Sequence, residues 1–187
     1  MRRLIIVFTL IIFLPMLLSA QHLKIEAKSG QFRPSENAFS DVYGNGWRHI
    51  GEISLGVDIN NLHGIDVWIN GKHFNKKGKL TYTEEETKVK MLGFGTGLRY
   101  RLNFLKGILY PYAGLGFNYN QFIETNKFGE LRHYEWGYEG QLGIFIRPIK
   151  RLLIDVYLDY TYCKMKPEDI GFNIGGIAAG VGLGYEF

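Results

Sequence analysis

Residues 152–162 read Leu152-Leu153-Ile154-Asp155-Val156-Tyr157-Leu158-Asp159-Tyr160-Thr161-Tyr162. Every even position is aliphatic or aromatic, whereas the odd ones include Asp155, Tyr157, Asp159 and Thr161. Side chains alternate across a strand with period two, so this stretch is a β-strand with one face suited to an apolar medium and the other to a polar one.

The same reading extends in both directions. In residues 134–147, Tyr134, Trp136, Tyr138, Leu142, Ile144 and Ile146 oppose Glu135, Glu139, Gln141 and Arg147. Leu92, Phe94, Leu98, Tyr100 and Leu102 oppose Gly93, Gly95, Gly97, Arg99 and Arg101, and Ala113, Leu115, Phe117 and Tyr119 oppose Tyr112, Gly114, Gly116, Asn118 and Asn120. Ile65, Val67 and Ile69 oppose Asp66, Trp68, Asn70 and Lys72; Ile53, Leu55 and Val57 oppose Glu52, Ser54, Gly56 and Asp58. The first segment, 23–32, is the weakest, with Ile25 and Ala27 against Lys24, Glu26 and Lys28. The last sets Ile177, Ala179, Val181, Leu183, Tyr185 and Phe187 against Gly176, Gly180, Gly182, Gly184 and Glu186.

Eight such segments predict an all-β fold, an eight-stranded antiparallel up-and-down transmembrane β-barrel with both termini at one rim. The connections at 60–63, 103–107 and 148–151 are short, and those at 33–46, 75–86, 123–130 and 164–170 are expected to be long polar loops. Short turns at one rim and longer loops at the other are the periplasmic and extracellular asymmetry of such barrels.

Arg2 and Arg3 precede a nearly unbroken apolar run from Leu4 to Leu18, followed by Ser19-Ala20 and the polar Gln21. This layout predicts a cleaved signal peptide over residues 1–20 and a barrel domain over 21–187. Losing Arg2 and Arg3 lowers the formal charge from +4 to +2, too weak a balance to point to nucleic acid. The single Cys163 excludes an intramolecular disulfide, and beyond the leader no apolar stretch is long enough for a membrane helix.

Alternation alone does not say which face meets lipid. The polar faces carry both signs of charge among many glycines, as a narrow, filled interior requires. They place Glu52, Asp66, Lys72, Arg99, Arg101, Glu135, Glu139, Asp155 and Asp159 in an interior charge network, joined by Lys24, Lys28, Arg147, Glu26, Asp58 and Glu186. Buried charges of this kind must pair. On the apolar face, Tyr119, Tyr134, Trp136, Tyr160 and Tyr162 gather toward the loop rim and Tyr100, Tyr185 and Phe187 toward the turn rim, as interfacial girdles do.

Gly182-Leu183-Gly184-Tyr185-Glu186-Phe187 resembles the terminal strand of Gram-negative outer-membrane proteins, and Tyr110-Pro111-Tyr112-Ala113-Gly114-Leu115-Gly116 is similar to strands of the small OmpA, OmpX and OmpW type of barrel. Residues Phe32-Arg33-Pro34-Ser35 through Phe39, Asp41, Tyr43 and Gly44 resemble a recurrent element of outer-membrane barrel proteins. The resemblance implies a place in the cell outer membrane, with outer-membrane lipids and lipopolysaccharide around a monomer. It makes Tyr185 and Phe187 the signal read by the barrel-assembly machinery.

A lipid A-modifying enzyme on such a barrel needs a His, a Ser and an acid together near the lipid-facing rim. No His-x-Ser pair occurs on any segment, and His49 and Ser54 fall on opposite faces. No spacing predicts a metal or cofactor site. Lys76, Lys77 and Lys79 are placed to meet lipopolysaccharide phosphates, and Glu84-Glu85-Glu86 reads as a solvated loop face. The expected role is structural or interactive, with the interior plugged by charge. The alternative is a narrow, cation-preferring passage, with Gly93, Gly95, Gly97, Gly180, Gly182 and Gly184 leaving a gap between the charges.

Overall fold

The computed structural model describes residues 21–80, 84–105, 107–165 and 171–187. The proposed signal peptide and most of the charged 164–169 stretch lie outside the described residues.

Eight long strands form one closed antiparallel barrel: β1 (His22–Pro34), β2 (Gly46–Asp58), β3 (His63–Lys79), β4 (Glu86–Leu102), β5 (Leu109–Asn126), β6 (Gly129–Ile149), β7 (Leu152–Tyr162) and β10 (Gly176–Glu186). Each pairs with its neighbours in sequence, and β1 closes the ring against β10. The seam extends to the last residue, whose backbone N–H donates to the Leu23 carbonyl at 2.9 Å. Between β1 and β2 lies a short helix, α1 (Asn37–Tyr43), and between β7 and β10 a small ribbon of β8 (Lys164–Met165) and β9 (Phe172–Asn173). Gly44, at φ 62°, ends α1 by turning the chain while its N–H bonds back to the Ser40 carbonyl at 2.8 Å. This left-handed conformation favours glycine.

The parity read from sequence is the parity observed. Leu115, Val181, Leu183, Leu98 and Phe94 are exposed on the outer wall, while Asp155, Asp66, Arg99 and Glu139 are buried inside. The loops expected at 75–86 and 123–130 are largely strand among the described residues, because the ladders run on to Lys79 opposite Glu86 and to Asn126 opposite Gly129. Outside the bilayer both faces of a strand meet water, so the alternation fades while the backbone ladder continues. Likewise β2 begins at Gly46, and the 33–46 connection contains α1. The extracellular side is therefore built of projecting hairpins, a helix and a ribbon.

Candidate functional site

The barrel interior is filled from rim to rim in two layers. At the periplasmic mouth, His22 bridges Glu186 and Asp58, with both contacts at 2.9 Å, and Arg147 pairs with Glu186 at 2.5 Å. Arg101 spans Asp58 at 2.5 Å and Asp66 at 2.9 Å, and Lys24 meets Asp66 at 2.5 Å. Midway, Lys28 pairs with Asp155 at 2.8 Å and approaches Glu26 and Glu52 at 3.4 Å. Arg99 contacts Glu52 and donates to Gln141 at 2.7 Å, with its guanidinium 4.4 Å from the Tyr112 ring centre. Lys72 meets Glu139 at 2.7 Å, and Asn70 donates to the same carboxylate at 3.0 Å. Each of these charges faces an opposite charge or a fixed dipole, as desolvation requires.

Three corrections follow for the expected network. Asp159 is buried, but neither of its carboxylate oxygens has a hydrogen-bond partner and it joins no ion pair among the described residues. Glu135 is half-buried near the loop rim, where its carboxylate accepts the Trp136 N–H at 3.0 Å and joins no ion pair among the described residues. Arg48, on the same parity as Glu52, does point inside: it is buried, with its guanidinium 3.4 Å from the Phe32 ring centre.

Above the charges the interior turns apolar. Phe32, Ile50, Phe74, Val89, Met91 and Phe122 pack together, with the Phe32 and Phe74 rings edge to face at 5.1 Å. Phe39 and Tyr43 of α1 close this layer from the outside, and Met165 and Ile174 from the ribbon side. Burial pushes the Tyr43 phenol above its ordinary pKa, and its hydroxyl lies 3.0 Å from Thr87 Oγ1. Cys163, between β7 and β8, is buried beside the Glu135 and Trp136 carbonyls, and burial pushes its thiol up to about 11.

The glycines expected to leave a gap are closely approached by other groups. A side chain at Gly97 would meet the Trp68 indole at 2.6 Å, and one at Gly95 would meet Glu139 at 2.7 Å. At Gly182 and Gly184 the Lys28 and Glu26 stems occupy the space at 2.9 and 2.7 Å. Interior side chains fill the space beside Gly93, Gly95, Gly97, Gly182 and Gly184, and Gly180 faces the β1 backbone at Ser29 and Gly30.

On the outer wall the structure pairs two residues that no single segment reveals. Ser29 Oγ lies 3.1 Å from His49 Nδ1 across β1 and β2, a contact set by the register of the two strands. No carboxylate hydrogen-bonds to His49 or His73 among the described residues, nor do any three His, Cys, Asp or Glu residues there form a metal-holding group.

A closed, antiparallel eight-stranded wall, greasy outside and charged within, defines an outer-membrane barrel protein. The outer membrane protein beta-barrel domain family matches residues 16–187, and the chain belongs to that family, which places it in the cell outer membrane. No curated protein matches the chain. Among solved structures it resembles Neisserial surface protein A, at 16% identity and TM-score 0.64, over 88% of this chain and 97% of that one. OprG from Pseudomonas aeruginosa matches at 17% identity and TM-score 0.58, over 90% and 97%. Ail, the attachment invasion locus protein of Yersinia pestis, in complex with the heparin analogue sucrose octasulfate, matches at 14% identity and TM-score 0.57, over 88% and 98%.

Proposed function

We propose that this barrel carries no solutes and works from its outer face, as a structural and interaction element of the envelope. The observation that carries this reading is the double filling of the lumen, ion pairs below and the Phe32, Phe74 and Phe122 layer above, capped by α1. Conduction needs a continuous wet path, and an apolar constriction opposes one by dewetting. What the chain does offer outward is substantial: the β3–β4 and β5–β6 hairpins run on beyond the apolar band, and Phe128 stands exposed at the tip of the second. The similarity to a surface protein and to an attachment protein is consistent with action at that face.

The role is not catalytic in this reading, because Ser29 and His49 lack an acidic partner among the described residues. In this reading the barrel acts as a monomer, and ring closure is consistent with that in leaving the wall strands no free edge for pairing with another copy. Tyr185 and Phe187 face outward at the seam, their rings 4.8 Å apart, in position for recognition by the barrel-assembly machinery.

Planar-bilayer recording of the refolded protein tests the reading. The expected trace is flat across the voltage range. Reproducible single-channel steps from protein free of contaminating porin would overturn it.

A further inference from the structure

The wall carries two glycines that nothing in the chain explains. Gly51 and Gly71 stand directly opposite each other on β2 and β3, on the lipid-facing side. A Cβ built on either would meet nothing within 4 Å, whereas interior glycines are hemmed in by Trp68, Lys28 or Glu26. Glycine weakens a strand and commonly marks a place where another molecule approaches the backbone closely. Here the two open a groove of about 820 Å³ along the wall, walled by Ala27, Leu92, Val181 and Leu183.

The chemistry changes in order along this groove toward the extracellular side. One outward-facing step above the glycines, His49 and His73 sit opposite each other, with Ser29 bonded to His49. One step beyond His49, Trp47 is exposed in the position of an interfacial aromatic. Further out on the same face, Asn75 stands opposite Lys90 and Lys77 opposite Lys88. All three lysines are exposed and form no ion pair among the described residues. Like charges directly opposite on neighbouring strands repel, so Lys77 and Lys88 form a cationic patch that an anion would stabilise.

A smooth apolar trough, then neutral hydrogen-bonding groups, then unpaired cations is the profile of an anionic lipid from tail to head. We propose that this face of β1–β4 is a binding site for the phosphorylated, multiply acylated glycolipid of the outer leaflet. An acyl chain lies over Gly51 and Gly71. Ser29, His49 and His73 meet the ester and sugar oxygens, and Lys77, Lys88 and Lys90 meet a phosphate. The outer leaflet is the source because the lysines lie at the end of the strands opposite the short turns and both termini. The site rests on the membrane placement of the wall and is independent of whether the lumen conducts or the hairpins bind a partner.

Native mass spectrometry of the refolded barrel tests it, with diphosphoryl lipid A, its dephosphorylated form and phosphatidylglycerol as separate probes. The wild type should retain one diphosphoryl lipid A. Retention should fall about tenfold or more when the phosphates are removed or in a Lys88→Gln/Lys90→Gln variant, and equally in Gly51→Leu/Gly71→Leu, whose side chains fill the trough. Folding of each variant is read from its heat-dependent gel shift. Should the leucine pair fail to fold, His49→Gln/His73→Gln replaces it, with the same loss expected. Lipid A retention unchanged in the folded variants, or phosphatidylglycerol held as firmly as lipid A, would overturn the proposal.

Discussion

Arg99 and Glu52 touch inside the barrel, and Gln141 clamps the pair, accepting from Arg99 at 2.7 Å and donating to Glu52 at 3.1 Å. Both charged residues are buried, so each depends on the other for the solvation that water would have supplied. Arg99→Met should lower stability by about 3–5 kcal/mol, because it leaves Lys28 to balance the buried carboxylates of Glu26, Glu52 and Asp155. Adding Glu52→Gln should recover part of that loss. Urea unfolding followed by tryptophan fluorescence measures both, and a single variant as stable as wild type would contradict the account.

Space, as well as charge, is allocated residue by residue. Gly97→Val drives a side chain into the Trp68 indole and the Leu115 carbonyl, and overpacking of this kind costs about 1–3 kcal/mol. A Cβ at Gly51 meets no atom of the chain within 4 Å, so Gly51→Val should be neutral within about 0.5 kcal/mol. The same unfolding measurement on the two variants should separate them clearly.

Cys163 should be chemically silent in the folded protein. Its thiol is buried and held up to about 11, with burial as the main cause and Asn120 partly offsetting it. The thiolate is the reactive form, so maleimide labelling at pH 7–8 should be negligible until urea unfolds the barrel. Rapid labelling of folded protein would show that the ribbon does not close over this residue.

Variants at Phe187 test assembly apart from stability. Its backbone N–H joins the seam at Leu23, but its ring lies on the outer wall against Tyr185. Phe187→Ala keeps the backbone bond and should refold in detergent much as wild type does. In cells it should reach the outer membrane in markedly lower amounts. Equal surface levels of the two proteins would remove the recognition role.

The wall was legible in the sequence because lipid and lumen impose opposite demands on alternate residues: Leu115 and Arg99 could each occupy only one face. Beyond the bilayer that contrast is lost, and with it the sequence signal for the outer ends of β3 to β6. α1 was hidden because its seven residues hold too few apolar positions to mark a period. Arg48 followed the parity of Glu52 and was recoverable by extending that segment. Ser29 and His49 were not, since their contact depends on the stagger between two strands, which neither strand encodes alone.

The β5–β6 hairpin has a further consequence. Its ladder continues to Asn126 opposite Gly129, and Phe128 is held at the tip by an N–H bond to the Asn126 side chain at 2.9 Å. A loose loop of the same length would surrender conformational freedom on meeting a partner, at about 1–2 kcal/mol per ordered residue. A stiff post has already lost that freedom in folding. Recognition at its tip should therefore proceed as contact with a preformed surface, with fast association and little temperature-dependent reordering.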